Sequence, residues 1–405
     1  MAGRRVVLGV CGSIAAYKAV EVCRRLTASG AHVSPVMTAD ATRFLGAATL
    51  SALASEPVHD SLWSDVDPIP HTALGQSADV VLVAPATATL LAKYAAGIAD
   101  DLLTATLLAT RAPVVLCPAM HTEMWEHPAT VDNVATLRGR GVTIVEPGVG
   151  RLAGGDEGAG RLADVEEIHF AVEKLLTPQD LAGRTVLVSA GGTREPLDPV
   201  RFLGNRSSGR QGEALAVEAA ARGADVTLVT AADRPAPAGV NVLRVETAAD
   251  MEAVVLSRGD AADVVVMAAA VADFRPKAPA DAKLPKADGA PDLDLEPTTD
   301  ILAELGRRKR EDQVLVGFAA ETGDVRAGAE RKLREKRLDV IVANDVTAPG
   351  VGFGHETNAA TVFDTAGTWT DVALTTKREL AAAVLDLVAQ VLSGQGLGAD
   401  TKGGT

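Results

Sequence analysis

Residues 4–38 read RRVVLGVCGSIAAYKAVEVCRRLTASGAHVSPVMT. RRVVLGV (4–10) is a short apolar run closed by CGS, the pattern of a buried strand and its turn. IAAYKAVEVCRRLTASG follows with apolar residues at helical spacing and stops at Gly30. HVSPVMT (32–38) is a second apolar run. Strand, glycine turn, helix, glycine stop and strand make a βαβ unit. The pattern restarts at Arg184, where RTVLVSA leads into GGTREPLDPVRFLGNRSSG, the helical RQGEALAVEAAARG and the strand-like ADVTLVT. Further strand candidates are 79–85, 112–118 and 142–147 in the first half, and 263–269, 313–321, 339–345 and 359–364 in the second. Continuous apolar strands alternating with helices predict an α/β protein with two doubly wound, mainly parallel sheets. The expected domains are 1–178 and 184–392, with a linker at 179–183 and a disordered polar tail at 393–405. Ligands of such folds sit at the carboxyl ends of the strands.

The bulk composition agrees. A chain of 405 residues is long for one core. Hydrophobic residues make up 47% and aromatics only 3%, as in Ala/Val/Leu layers packed on parallel strands. The formal net charge of −14 argues against a nucleic-acid partner, which would select a basic surface. Cys11, Cys23 and Cys117 have no CxxC spacing, so neither a disulfide framework nor a structural zinc site is expected. The opening MAGRRVVLGV runs straight into a strand, and no uncharged apolar run of about 18 residues follows anywhere. A cytoplasmic protein with no membrane partner is expected.

The first turn, GVCGS, lacks the G-x-G-x-x-G dinucleotide fingerprint. The second strand ends in Thr38, where a dinucleotide enzyme places an acid for the ribose. Gly12 and Ser13, followed by Ile14 in the helical pattern, with Thr38 nearby, suit a monophosphate at a helix N-terminus, or simply a tight turn. Thr87 and Thr89, in APATATLLAKYAAGIADDLL (84–103), are hydroxyl caps at a second helix start. With GSIAAYK, His71 in PHTAL and CPAMHTEMW (117–125), these segments resemble the flavin-binding cysteine decarboxylases.

GGTREPLDPVRFLGNRSSG (191–209) resembles the signature of phosphopantothenate–cysteine ligases. AAVADFRP (269–276), KLPK (283–286), GFAAET (317–322), RKLREK (331–336) and ANDV (343–346) follow in that family's order. Nearly the whole chain is therefore similar to the bifunctional bacterial proteins of coenzyme A biosynthesis. The resemblance implies a flavodoxin-like decarboxylase domain followed by a Rossmann-like ligase domain. It implies FMN as cofactor, held by Gly12, Ser13, Ile14, Thr38, Thr87 and Thr89, with His71 as the catalytic histidine. For the ligase it implies CTP with Mg2+, an acyl-cytidylate intermediate, and Asn205 and Arg201 acting on it. Nucleotide contacts are implied for Met267, Ala268, Ala269, Asp273, Lys283, Thr299, Asp300, Ile301, Leu302, Phe318, Lys332 and Lys336; the magnesium ligands are not identified. The substrates would be 4'-phosphopantothenate, cysteine and CTP. The assembly would be a dodecamer of decarboxylase trimers and ligase dimers.

The residues alone leave blander readings open. Lys332 and Lys336, at i and i+4, can share one helix face toward a triphosphate or simply be solvated. Lys286 shares that ambiguity, Asn205 beside Gly204 can be a turn residue, and His71 can be an ordinary loop histidine. Two departures stand out. His121 occupies the position where the decarboxylases carry an amide that grips the substrate carboxylate. In RLAGGDEGAGRL (151–162), expected as a substrate flap through Gly154, Gly155 and Asp156, Gly154 stands where those enzymes carry a proton-donating cysteine. Water, Asp156 or Glu157 is then the expected proton source. The alternative to two activities is an active ligase with an inactive or scaffolding flavoprotein domain.

Overall fold

The computed structural model describes residues 1–63, 69–285, 293–321, 325–345, 355–365, 367 and 369–394. The chain divides into two compact units, Met1–Pro178 and Gln179–Thr405.

In the first unit the apolar runs become strands β1 (Arg5–Val10), β2 (His32–Met37), β3 (Val80–Ala86), β4 (Val114–Pro118) and β5 (Thr143–Ile144). They form a parallel sheet in the order β2-β1-β3-β4-β5. Side chains alternate between two helical layers. Val6, Leu8 and Val10 pack with Cys23 and Leu26 of helix Ala19–Ala28 and with Ile168 and Val172 of helix Val165–Leu176. Val7, Val81 and Val83 pack on the other face with Leu103 and Leu107 of helix Leu102–Ala109. Connections leave β1 toward β2 on one side and reach β3 on the other, so a crevice opens at the carboxyl edge between β1 and β3. The strand expected over 142–147 is shorter, because Glu146 faces solvent and Pro147 has no N–H to offer a ladder. The segment 151–162, expected as a substrate flap, falls largely within an antiparallel hairpin of β6 (Gly148–Arg151) and β7 (Glu157–Arg161).

The second unit contains β8 (Thr185–Ala190), β9 (Arg194–Pro196), β10 (Phe202–Gly204), β11 (Asp225–Thr230), β12 (Asn241–Arg244), β13 (Val264–Met267), β14 (Phe274–Pro276), β15 (Leu295–Pro297), β16 (Val314–Glu321), β17 (Val340–Asp345), β18 (Thr357–Asp364) and β19 (Trp369–Thr376). Eight of them form one sheet in the order β12-β11-β8-β13-β16-β17-β18-β19. It is parallel as far as β17 and antiparallel beyond it. Its switch point lies between β8 and β13. Two antiparallel ribbons, β9–β10 and β14–β15, extend from the strand ends on either side of it.

The segment 179–183, expected to be a linker, is docked on the second unit. Leu181 is fully buried, Gln179 Nε2 donates to Ala221 O at 2.9 Å, and Asp180 lies 3.3 Å from the buried Arg222 guanidinium. The helix Lys377–Leu392 closes this unit. The tail beyond residue 394, and Lys286, lie outside the described residues. Among the described residues, no helix is long and apolar enough to cross a membrane.

Candidate functional site

The switch point of the first sheet gathers the expected cofactor-binding residues. Cys11 N donates to Pro85 O at 3.2 Å, which ties the turn after β1 to β3. A Cβ on Gly12 would fall inside contact distance of Asp40, so only glycine lets the turn pass the end of β2. Ser13 caps the short helix Ile14–Lys18, accepting from Ala15 N at 3.2 Å. Thr38 Oγ1 accepts from Ala41 N at 3.3 Å, and Thr87 caps helix Ala88–Ala96 by accepting from Leu90 N at 3.3 Å. The Ser13 and Thr38 hydroxyls keep their own O–H to donate to a ligand, while the Thr87 hydroxyl also meets the Cys11 sulfur. Thr89 is exposed, and the apolar Ile14 side chain is 64% exposed at the same edge. Burial pushes the Cys11 thiol up to about 12, so it is an inert core residue.

His71 is not a loop residue. Pro70 opens helix Pro70–Ser77, and His71 sits in its first turn. Its Nδ1 is buried and has no hydrogen-bond partner among the described residues. A buried, unsatisfied imidazole nitrogen is costly unless something else meets it.

His121 follows β4 at the same edge of the sheet, and the hairpin packs over it. Met120 N donates to Gly160 O at 3.0 Å. A Cβ on Gly160 would collide with Met120 O, and one on Gly158 with Thr122. The glycine pattern of 151–162 therefore serves close approach rather than flexibility. The hairpin tip is closed by Leu152 N to Asp156 O at 2.7 Å and Gly155 N to Leu152 O at 3.0 Å, with Gly155 at φ +100°. His121 Nδ1 bonds to Glu123 Oε2, and Nε2 lies 3.2 Å from Asp156 Oδ2. Hydrogen bonding to Glu123 first, and the charges of Glu123 and Asp156 next, raise the imidazole above the ordinary histidine range.

In the second unit a cavity of about 510 Å3, in the range of small-molecule sites, opens at the switch point. It is lined by Asn205, by Met267 at the end of β13 and Ala268, Ala269 and Asp273 beyond it, by Thr299–Leu302, by Phe318 on β16, and by Lys332 and Lys336. Every expected nucleotide position except Lys283 is there. Asp300 caps helix Ile301–Arg308, accepting from Ala303 N at 3.0 Å, and pairs with Lys336 Nζ at 2.8 Å. Burial alone would raise the Asp300 carboxyl; the Lys336 bond and backbone N–H groups outweigh it and hold the carboxyl below its usual range. Asn205 is not a left-handed turn residue, since Arg337 is the only non-glycine with positive φ among the described residues. Its Nδ2 donates to Val271 O at 3.0 Å.

Arg201 does not line the cavity. Its Nε donates to the buried Asp198 at 2.9 Å and its Nη2 to Leu284 O at 2.8 Å. Asp198 also accepts from the N–H groups of Val200, Arg201 and Leu284. Arg201 thus braces the loop against the segment that carries Lys283. Two hydroxyls brace the strand ends in the same way: Ser189 Oγ, in β8, accepts from Ala269 N at 3.1 Å, and Thr193 Oγ1, in the signature, accepts from Ala272 N at 2.9 Å.

Sequence reasoning missed Ser207, Ser208, Arg210, Gln211, Asn344, Asn358 and Lys377, which also line the cavity. Gln211 Nε2 donates to Lys377 O at 3.1 Å and Gln211 Oε1 accepts from Asn358 Nδ2 at 3.3 Å. Lys377 is only 6% exposed, and burial, then the nearby Arg210 charge, holds its ammonium below the ordinary lysine range. Asn344, inside ANDV, Ser207 and Ser208, inside the 191–209 signature, and Arg210 and Gln211, at the start of the helix after it, could have been picked out within quoted motifs; no local pattern points to Asn358 or Lys377.

Comparison with known proteins assigns both units. The flavoprotein family matches residues 1–177, and the DNA/pantothenate metabolism flavoprotein C-terminal domain matches residues 181–392. The class is thus a flavoprotein domain followed, in one chain, by a pantothenate-metabolism domain. The coenzyme A biosynthesis bifunctional protein CoaBC of Mycobacterium bovis is 50% identical over 96% of this chain and 97% of its own. That of Bacillus subtilis is 44% identical over 95% and 97%. A crystal structure of the C-terminal domain of such a protein is 38% identical, covering 53% of this chain and 99% of that one at a TM-score of 0.46. The chain belongs to the family of bifunctional coenzyme A biosynthesis proteins.

Proposed function

We propose that the chain catalyses two successive steps of coenzyme A biosynthesis. The second unit joins 4'-phosphopantothenate to cysteine using magnesium-bound CTP. The substrate carboxylate attacks the α-phosphate and expels pyrophosphate; the cysteine amine then displaces CMP and forms the amide. The first unit decarboxylates 4'-phosphopantothenoylcysteine to 4'-phosphopantetheine. The observation that carries the reading is the convergence of Asn205, Asp273, Asp300, Phe318, Lys332 and Lys336 on one cavity at the sheet's switch point.

Within that cavity Lys332 and Lys336 supply positive charge where the departing pyrophosphate develops negative charge, and Asp300 holds Lys336 in place. Asn205, anchored to Val271 O, presents an amide to the acyl-cytidylate.

FMN fits the first unit. The Gly12 turn, the hydroxyls of Ser13, Thr38, Thr87 and Thr89, and helix N-terminal N–H groups form an uncharged donor set suited to a phosphate monoester. The exposed Ile14 offers an apolar surface to a flat ring. Bound FMN supplies a reversible hydride acceptor, which lets the thiol reach the thioaldehyde level from which the neighbouring carboxyl can leave. In this reading His71, in the first turn of its helix, takes the thiol proton. His121 offers an N–H to the substrate carboxylate. The assembly carried with this reading is a cytoplasmic dodecamer of decarboxylase trimers and ligase dimers.

A coupled assay tests the whole reading: 4'-phosphopantothenate, cysteine and CTP should yield pyrophosphate, CMP, carbon dioxide and 4'-phosphopantetheine. Pyrophosphate without carbon dioxide, from flavin-loaded protein, would instead establish a ligase with an inactive flavoprotein domain.

A further inference from the structure

His121 and Gly154, the two departures from the family pattern, are neighbours in space. A Cβ on Gly154 would stand 3.3 Å from His121 Nε2 and 3.5 Å from Asp156 Oδ2. The imidazole thus lies beside the space that a side chain at residue 154 would take. It is gripped from two elements: Glu123, on the short helix after β4, meets Nδ1, and Asp156, at the hairpin tip, meets Nε2. A ring facing a carboxylate at each nitrogen carries a proton on both. Glu123 and Asp156 are the charged groups that act on it. The ring is about one-third exposed, with side-chain exposure of 36%, so a substrate can reach it.

We propose that the His121 imidazolium, positioned by Glu123 and Asp156, delivers the proton that follows decarboxylation. The proposal rests on the decarboxylase reading above. The substrate carboxylate enters beside Nε2 and replaces Asp156 as its partner. The bond between the carboxyl and its carbon breaks, and carbon dioxide leaves. The electron pair stays on the substrate as an enethiolate, whose carbon now faces the Nε2–H that had held the carboxylate. That carbon takes the proton and forms a C–H bond, which leaves the substrate at the thioaldehyde level; the hydride that bound FMN would have taken up would then be returned to give the saturated thiol. The N–H electrons remain on Nε2, and the neutral imidazole regains its proton from water, favoured by its two carboxylates. One residue so accounts for both departures. It binds the carboxylate as the family's amide does, and it donates the proton that Gly154 has no side chain to give. Asp156 is then an acceptor rather than the donor, and Glu157 pairs in the ladder opposite Arg151.

The test uses flavin-loaded, full-length protein and 4'-phosphopantothenoylcysteine. His121→Asn should still bleach the flavin and release carbon dioxide. It should release the unsaturated enethiol and form the saturated thiol about 100-fold more slowly, the scale of a lost general acid. His121→Asn combined with Gly154→Cys should restore most of the saturated product. Without substrate, proton NMR of the imidazole should show Asp156→Asn lowering the ring's titration midpoint, and the falling limb of the pH profile should move down with it. Saturated product at the unsubstituted rate in His121→Asn would overturn proton delivery. So would joint loss of carbon dioxide and product, which would leave His121 a binding group only. So would a titration midpoint unmoved by Asp156→Asn. If the unsubstituted enzyme released no carbon dioxide, the decarboxylase reading itself would fall, and this inference with it.

Discussion

The cavity of the second unit and the crevice of the first occupy the same place on their sheets, yet they are built in opposite ways. In the second unit the lining comes from strands and helices far apart in sequence and locked to one another, as Gln211 is to Lys377 and Asn358. In the first, the reactive edge is made of turns a few residues from their strands, roofed by a hairpin that rests on glycines 158 and 160. The ligase cavity is therefore preformed, with charges already paired, as Lys336 is with Asp300. The decarboxylase edge keeps its polar groups waiting: the Nδ1 of His71 has no partner among the described residues, and His121 is held only by exposed carboxylates. Two units so different in construction should fail separately, and that expectation can be broken.

The largest effect is expected at His71. His71→Gln keeps a polar side chain in the first turn of its helix but cannot act as a base. Carbon dioxide release should fall about 100- to 10,000-fold. CTP-dependent pyrophosphate release should be unchanged. Loss of both would mean that the two sites are not separable.

Next comes the roof. Gly160 has φ +151° and no room for a Cβ against Met120 O, so Gly160→Ala must push the hairpin off the turn that carries His121. A shift of about 1 Å is enough to lower decarboxylation roughly 100-fold. Flavin absorbance should persist, because the hydroxyl turns lie at β1, β2 and β3. Simultaneous loss of bound flavin would show that the hairpin is part of the cofactor's support.

How much of this was legible in the sequence follows the same division. Buried strands such as VVLV (80–83) and VVVM (264–267) announce themselves, because both faces of a parallel sheet demand apolar side chains. Edge elements do not. β19 reads WTDVALTT, with mostly exposed side chains, and it was missed. The hairpin looked like a loop because its glycines answer to Met120 and Thr122, which no local pattern reveals. Arg201 looked like a substrate residue because it lies in a signature loop; its partner Asp198 sits only three residues earlier, but Leu284, its other partner, is distant. Lys377 was out of reach, since it meets Gln211 across a separation of 166 residues.

Within the ligase, the Lys336–Asp300 pair can be tested at the nucleotide. Lys332→Met should raise the CTP KM about 10-fold, the scale of one lost charged hydrogen bond. Lys336→Met should raise it by less than a whole charged hydrogen bond is worth, because its ammonium already spends part of its interaction on Asp300 at 2.8 Å. Asp300→Asn should partly offset it. A rise in CTP KM for Lys336→Met as large as a whole charged hydrogen bond would mean that the Asp300 pair opens on nucleotide binding.

The smallest effect on turnover is expected at Asp198, and it separates a bracing arginine from a lining one. Arg210 lines the cavity, whereas Arg201 is committed to Asp198. That bond first, aided by the N–H groups of Val200, Leu284 and Arg201, holds the Asp198 carboxyl well below the ordinary carboxylate range. A carboxyl depressed in the folded state adds stability that is complete above its unfolded value and is lost as the pH falls from there toward its folded value. Asp198→Asn removes that contribution, so at neutral pH the variant should melt below the unsubstituted protein. The gap should close as the pH drops below about 4, where the unfolded carboxylate itself takes up a proton. With saturating CTP at neutral pH, kcat should be nearly unchanged. A large fall in kcat, with the melting gap independent of pH, would instead put Arg201 in contact with the reacting groups and make the brace a catalytic residue after all.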